Sequence, residues 1–490
     1  MSFVEWVTAP DHEEHPMRDK QARWLALYTL CLGDLMIVLD TNIVNVALPA
    51  IQGDLGFSPT ALAWVLNAYM LTFGGFLLLG GRLGDVFGNR RVFLVAVVAF
   101  TVASVACGLA PSSGLLVAGR AVQGLGGAAV SAVALALIMG LFDDPAERAK
   151  AMAVYGFVMS GGGALGVLLG GVLTGFLTWH WVFLVNVPIG VVVWLLGSRV
   201  LPRRPAAVTA PRLDVVGAVL VTGALVLLVY GIVTGGAGLP YVAGGLALLA
   251  VFVAWEAHSD HPLVPLRLFR LRNLVVAQVV GALWAGAMFA TFFLSSLYLQ
   301  QVLEYGALAV GLAFLPTSVV MAVCSLRWSD KLVIRFGPKP PLVAGLALVA
   351  AGLGLLARVP ADGGYVVDIL PAMLLTGIGA GIALNPVLIV AMSDTAPAEA
   401  GLASGLANTS FSMGGALGLA VLASVATWRT DALTAAGVGH ADALTGGFQI
   451  AFGAGALFAL AAAVAGGVLL KVTSADAVAG VDAEAETAAA

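Results

Sequence analysis

Residues 24–50, WLALYTLCLGDLMIVLDTNIVNVALPA, decide what kind of fold this chain adopts. About 20 mostly apolar residues, rising ~1.5 Å each, cross the ~30 Å of hydrocarbon in a bilayer, and this run is long enough to do so. It follows the polar leader 1–22 and lacks a small-residue cleavage site before a soluble domain, so it is expected to be a resident helix and not a removed signal peptide. Two carboxylates, Asp34 and Asp40, stand inside it. An ionisable group at that depth costs several kcal/mol by insertion scales and marks a functional position by default.

Outward from this run the same pattern recurs. Runs of similar character lie at 60–80, 92–110, 114–141, 151–177, 181–201, 214–234, 240–257, 274–302, 307–326, 341–358, 368–393, 400–426 and 447–471, which predicts an all-α integral membrane protein of fourteen transmembrane helices. Composition agrees: 60% of residues are hydrophobic and 10% charged, with a mean hydropathy of +1.01, whereas a soluble domain carries roughly 25% charged residues. The net charge of −4 gives no basic field and argues against nucleic acid as a partner. Cys31, Cys107 and Cys324 sit in apolar stretches without metal-ligand spacing, and His12, Glu13, Glu14 and His15 read as part of a solvated acidic tail. No metal or other cofactor is expected. No G-x-x-x-x-G-K-[ST] loop occurs, so ATP is not the direct driver.

The basic residues set the orientation. Of 23 Lys and Arg, twenty fall in the tails and in one alternate set of loops, only Arg358 and Arg429 fall on the other side, and Arg120 lies within a span. Positively charged loops stay in the cytoplasm, so both termini are expected there. The chain also repeats itself. GGALG stands at 162–166 and again at 414–418; RLGDVFGNRR at 82–91 aligns with KLVIRFGPKP at 331–340; GLGGAA from Gly124 aligns with GIGAGI from Gly377. The nearly constant offset divides the chain into a tail at 1–22, a six-helix bundle at 23–201, two inserted helices with linkers at 202–273, a second six-helix bundle at 274–471, and a disordered acidic tail at 472–490. Two parallel repeats suit alternating access to a central cavity. Gly162, Gly166 and Gly170 fall on one helix face, serving either close static packing or a gating slide.

Four stretches carry a family resemblance: LDTNIVNVALP at 39–49, GGRLGDVFGNRR at 80–91, the R-x-x-Q-G-x-G pattern of Arg120, Gln123, Gly124 and Gly126, and WHWVFLVNVPIG at 179–190. With them the chain resembles the major facilitator superfamily, specifically its fourteen-helix drug/proton antiporter branch, over essentially the whole length from Arg23 to Lys471. It departs from the pattern at Val167, where the antiporter motif has Pro after Gly, at Val86 and Asn89, where the loop motif is usually basic, and at His180, where Arg is common. The resemblance implies the major facilitator fold, a multidrug exporter in the plasma membrane working as a monomer, and amphipathic, often cationic drugs or antibiotic-like metabolites as substrates. It also implies that Asp85 faces the start of helix thirteen near Ala400, so that Gly81, Asp85, Gly88, Arg90 and Arg91 form a conformational switch.

Depth along the helices pairs the buried charges. Asp40 lies ~15 Å below the outer end of the first span and Arg120 ~9 Å below that of the fourth, which lets them meet, while Asp34 lies ~9 Å nearer the cytoplasm. Burial disfavours a charged carboxylate and a guanidinium favours it, so a site between the two can load and release protons. Asp40, biased by Arg120, is the expected principal proton-coupling residue, with a static ion pair as the alternative; Asp34 is expected as a second protonation site or the anionic contact for cationic substrates, with polar packing against a neighbouring helix as the alternative. Asn67, Tyr69, Gln123, Trp284, Met288, Phe289, Asn385 and Asn408 are the expected substrate contacts, combining sparse hydrogen bonds with aromatic and thioether surface. A narrow metabolite exporter or importer is the competing reading; a membrane enzyme or sensor would need clustered catalytic ligands or a signalling domain, and neither is visible.

Overall fold

Backbone that no water can reach must satisfy its hydrogen bonds within its own segment, and the described residues are accordingly helical almost throughout. The computed structural model describes residues 20–142, 144–202, 213–259, 261–395 and 400–471; both tails, with His12 to His15, lie outside the described residues. The long helices are α1 (Lys20–Leu55), α2 (Trp64–Phe87), α3 (Asn89–Gly108), α4 (Ser113–Leu141), α5 (Pro145–Phe176), α6 (Asn186–Val200), α7 (Val215–Thr234), α8 (Leu239–His258), α9 (Arg272–Gln301), α10 (Ala307–Val323), α11 (Lys339–Leu356), α12 (Leu370–Met392), α13 (Ala400–Ala435) and α14 (His440–Leu469).

Thirteen runs among the described residues are long and apolar enough to cross a membrane. One of them, Val215–His258, is a hairpin of α7 and α8 turned at Gly235–Gly238. Helices overrun the expected spans where nothing in the sequence stops them. The helix of the tenth expected span continues through wide π-type turns at Cys324–Ser329 to Phe336 before Gly337 ends it, and α13 runs on to Ala435. The long outer loop expected at 427–446 therefore shrinks to residues 436–439. Residues 109–112 make an equally brief join between α3 and α4.

The internal repeat reappears as packing. A Cβ on Gly166 would lie 3.0 Å from the Leu39 carbonyl of α1, and one on Gly418 would lie 2.2 Å from Gly286 Cα of α9. Likewise Gly124 abuts α2 and Gly377 abuts α10, while Gly126 abuts α3 and Gly379 abuts α11. Each glycine lets two backbones touch, and it does so at the matching place in both copies. Gly88 and Gly337, at aligned positions, end their helices with φ of 88° and 77°, a conformation in which any Cβ is strained.

Helices α1, α5, α9 and α13 start at one end of the bundle. Their parallel register shows this: Ala282 meets Gly414 and Gly286 meets Gly418, while Asn45, Val46 and Gln52 bond Ser296, Gln300 and Gln301 in step. Arg23 of α1 pairs with Glu147 of α5 at 3.2 Å, and Arg272 of α9 bonds the Leu469 carbonyl of α14 at 2.8 Å. The first and last described residues thus share one end, here the terminal end; the opposite is the far end. Large apolar side chains such as Val102, Leu457 and Val468 cover the outside, the surface a lipid solvent requires. The three cysteines are buried and unpaired.

Candidate functional site

The most concentrated polar chemistry lies inside the first half of the chain. Asp40 of α1 and Arg120 of α4 form an ion pair, both wholly buried. The other carboxylate oxygen, Oδ1, accepts Gln123 Nε2 at 3.0 Å and Asn186 Nδ2 at 2.8 Å. Gln123 also donates to Ser104 Oγ at 2.7 Å and accepts from Arg120 Nη1 at 2.9 Å, and Arg120 Nε donates to the Val65 carbonyl at 2.9 Å. The guanidinium is sandwiched, 4.4 Å from the Tyr69 ring centre and 5.7 Å from that of Phe183. Five helices meet here: α1, α2, α3, α4 and α6. In low dielectric such a charge pair survives only with its remaining hydrogen bonds made, and this one leaves only Arg120 Nη2 without a partner.

Asp34 is placed differently. It too is wholly buried, with Oδ1 accepting Ser131 Oγ of α4 at 2.5 Å. Tyr155 of α5 faces the same carboxylate, and Oδ2 has no hydrogen bond of regular geometry. Ser131 and Tyr155 both line a cavity of about 460 Å³ that occupies the terminal-end half of the bundle. Its walls come from α2, α4, α5 and α13, with Leu263 from the segment before α9. The lining is mostly apolar, with Arg82, Asp85, Ser404 and Asn408 as its other polar members.

The cavity is roofed. One turn beyond Phe73 on α2 stands Met70, and one turn beyond Asn408 on α13 stands Phe411. Phe411 packs against Trp284 and Phe289 of α9 at 5.4 and 5.7 Å, and Met70 Cε and Phe289 crowd the same face of Gly415. At the far end the halves are fastened. Ser296 Oγ donates to the Asn45 carbonyl at 2.7 Å, Gln300 Nε2 to the Val46 carbonyl at 3.1 Å and Gln301 Nε2 to Gln52 Oε1 at 2.9 Å. Beside them α5 and α10 touch through Gly171 and Gly311. The conformation is closed at the far end, with its void toward the terminal end.

Among the expected site residues, the structure brings Asp40, Arg120 and Gln123 together, and separately Gly81, Asp85 and Asn408 around the cavity. Asp85 shares that wall with Leu402 to Asn408, the first turns of α13; the side chain of Ala400 lies outside the described residues. Trp284, Met288 and Phe289 sit in or behind the roof, buried or half-buried. Asn67 and Trp284 carry buried polar atoms with no partner within the protein. Asn385 is elsewhere, bonded to Asp330 Oδ1 at 2.9 Å and to the Ser325 carbonyl at 3.2 Å. Arg90 is held against the Ser198 carbonyl at 2.6 Å, Gly88 caps α2, and Arg91 is exposed. Gly162, Gly166 and Gly170 pack α5 on α1 within one half; the face that crosses to the other half is the neighbouring one, Gly171 and Gly175. Sequence reasoning missed Asn186 as a holder of Asp40, Ser104 as the hydroxyl that accepts from Gln123 and Asn186 behind it, and Ser131 and Tyr155 as holders of Asp34. Asn186 was visible inside WHWVFLVNVPIG; the hydroxyls had no pattern to betray them.

A sequence profile of the Major Facilitator Superfamily matches residues 30–419. The chain belongs to this superfamily. It is therefore a multi-pass membrane protein of a transporter family, not of an enzyme family. The puromycin resistance protein of Streptomyces alboniger is 41% identical to it over 421 residues, 84% of each chain. The cephamycin export protein of Amycolatopsis lactamdurans is 39% identical over 433 residues, 86% of this chain and 89% of that one. An auto-inhibited peptide transporter of the POT family matches in fold, with a TM-score of 0.68 at 17% identity, over 92% of this chain and 98% of its own.

Proposed function

We propose that this transporter exports amphipathic, often cationic, antibiotic-like molecules across the plasma membrane in exchange for protons. The observation that carries the reading is the cavity whose wall side chains, Ser131 and Tyr155, face the buried carboxylate Asp34. A mostly apolar void with a few polar groups suits a bulky amphipathic guest, and Asp85 at its rim favours a cation. The names of the two relatives, one for resistance and one for export, agree with outward transport of such compounds. Counting α7 and α8 separately gives fourteen spans arranged as six, two and six, and the positive-inside bias puts the terminal end in the cytoplasm. The chain works as a monomer, since α2, α4 and α5 of one half and α13 of the other wall this cavity together.

In this reading Asp34, Asp40 and Arg120 form the proton-coupling set, with the order of the two carboxylates reversed from the sequence expectation. Asp40 is committed to Arg120, Gln123 and Asn186 in this state, whereas Asp34 has only the hydroxyls of Ser131 and Tyr155 as partners, both on the cavity wall. Asp34 exchanges a proton with the cytoplasm here, and Asp40 does so only if its clamp opens in the opposite state. Trp284, Phe289 and Phe411 part as the guest moves past the roof, Trp284 Nε1 donates a hydrogen bond to it, and the Asn67 amide donates or accepts another. The membrane potential supplies ~2.3 kcal/mol per charge per 100 mV.

The test is efflux from cells expressing wild type, Asp34→Asn or Asp40→Asn, across cationic and neutral amphipathic compounds, with and without an uncoupler. Export of cationic compounds that an uncoupler abolishes, and that Asp34→Asn removes while the protein stays folded in the membrane, is the expected result. Export indifferent to the uncoupler, or undiminished in Asp34→Asn, would sink the scheme.

A further inference from the structure

The inserted pair α7 and α8 holds a second set of acids that the transport scheme leaves unused. Asp214 caps α7: its Oδ1 accepts the Gly217 N–H at 2.8 Å and Trp255 Nε1 of α8 at 2.9 Å. Glu256, next to Trp255, accepts the Val264 N–H on Oε2 at 3.1 Å. Both residues are more than nine-tenths buried. Their remaining oxygens, Asp214 Oδ2 and Glu256 Oε1, have no other donor, and each lies 2.7 Å from the point a Cβ on Gly217 would occupy. The two lone oxygens therefore converge in the space that glycine leaves.

Two buried carboxylates facing each other cannot both be ionised cheaply; one proton between them turns repulsion into a hydrogen bond. Asp214 has the stronger claim on the negative charge, with two N–H donors and the positive end of the α7 dipole. The proton then belongs on Glu256 Oε1, which donates it to Asp214 Oδ2. The charged group reaching the pair from another element is Arg82 of α2. Its guanidinium is bound to the carbonyls of His261, at 3.0 Å, and Pro262. His258 folds back on the Ala254 carbonyl, and His261 is exposed.

Residues 261–264 are thus fastened twice, by Arg82 through two carbonyls and by Glu256 through the Val264 N–H. Between the two fastenings Leu263 is buried and lines the cavity. We infer that Asp214 and Glu256 hold a single proton between them, and that this proton latches the 261–264 segment so that Leu263 closes part of the cavity wall. When the proton leaves, the two anions part, Val264 is released, and Leu263 swings out of the wall. The shared proton stands independently of the transport reading; the effect of the latch on substrate entry rests on that reading.

The test is labelling of a Leu263→Cys variant of purified full-length protein with a membrane-impermeant maleimide, from low to high pH. The three native cysteines are buried, and an Ala436→Cys variant, at an exposed position, corrects for the intrinsic pH dependence of thiol reactivity. The corrected labelling is expected to rise several-fold with pH. It should stay low throughout in Glu256→Gln, whose amide N–H replaces the shared proton, and high throughout in Glu256→Ala. A flat profile with the native acids, a Gln variant that follows the native curve, or an Ala variant that stays protected overturns the latch. None of these readings needs a transported compound, so a failed efflux assay alongside an intact latch counts against the export proposal alone.

Discussion

Asp40 and Arg120 keep each other in the hydrocarbon layer, and the cost of separating them is the most direct prediction at this scale. Breaking a buried pair by removing one partner leaves an uncompensated charge and costs ~3–5 kcal/mol. Arg120→Ala should therefore lower thermal stability in detergent sharply, whereas adding Asp40→Asn should restore part of it. The double-mutant cycle reads the difference, and additive effects would mean the pair carries no coupling. Asp34 makes the opposite prediction, because Asn preserves its size and can still accept from Ser131: Asp34→Asn should leave the melting temperature nearly unchanged while gradient-driven export falls to background. Both acids and the arginine were legible in the sequence, since ionisable residues stand out in an apolar run. The ranking proposed above was not. It depends on which neighbours reach them, and Ser104, Ser131 and Tyr155 are ordinary residues in their own helices, brought in only by the way α3, α4 and α5 cross α1.

Helices in lipid gain nothing from burying one leucine against another, so contact depends on how closely backbones approach. Gly418 and Gly81 divide this effect cleanly. A Cβ at Gly418 would lie 2.2 Å from Gly286 Cα, whereas one at Gly81 meets nothing within 4 Å. Gly418→Val should cost at least the ~1–3 kcal/mol typical of overpacking, read as a lower melting temperature. Gly81→Ala should leave the melting temperature unchanged and slow transport, because the cavity wall it belongs to must close against α13; unaltered transport would remove Gly81 from the switch. The repeat was readable because glycine pentapeptides recur, and the structure gives the reason: aligned glycines perform aligned contacts. The helix ends were less readable. A run of Arg, Asp and Lys looks like a loop, yet α10 continues helically through Arg327 and Asp330 until Gly337, since charge near a membrane face does not forbid helix.

For the whole molecule, the balance between the two openings rests on the far-end fastening of α1 to α9. Each such hydrogen bond contributes ~1 kcal/mol, and ~1.4 kcal/mol is a tenfold change in an equilibrium. Ser296→Ala combined with Gln300→Ala should therefore shift the population by at least ~tenfold toward the far-open form. Spin labels on the far ends of α5 and α10 should report a longer distance in that variant; an unchanged distribution would show that the glycine contact alone holds the seam. Membrane class and helix order could be read from hydropathy alone, but which end stands closed could not, because it is a property of the conformation and not of any residue. The brevity of the joins at Gly235–Gly238, 109–112 and 436–439 carries one more consequence. With the terminal end in the cytoplasm, as proposed, these three bends face outward, and an epitope tag for detecting this transporter on intact cells belongs in a lengthened 436–439 bend, where Gly437 already turns the chain at a φ of 82°.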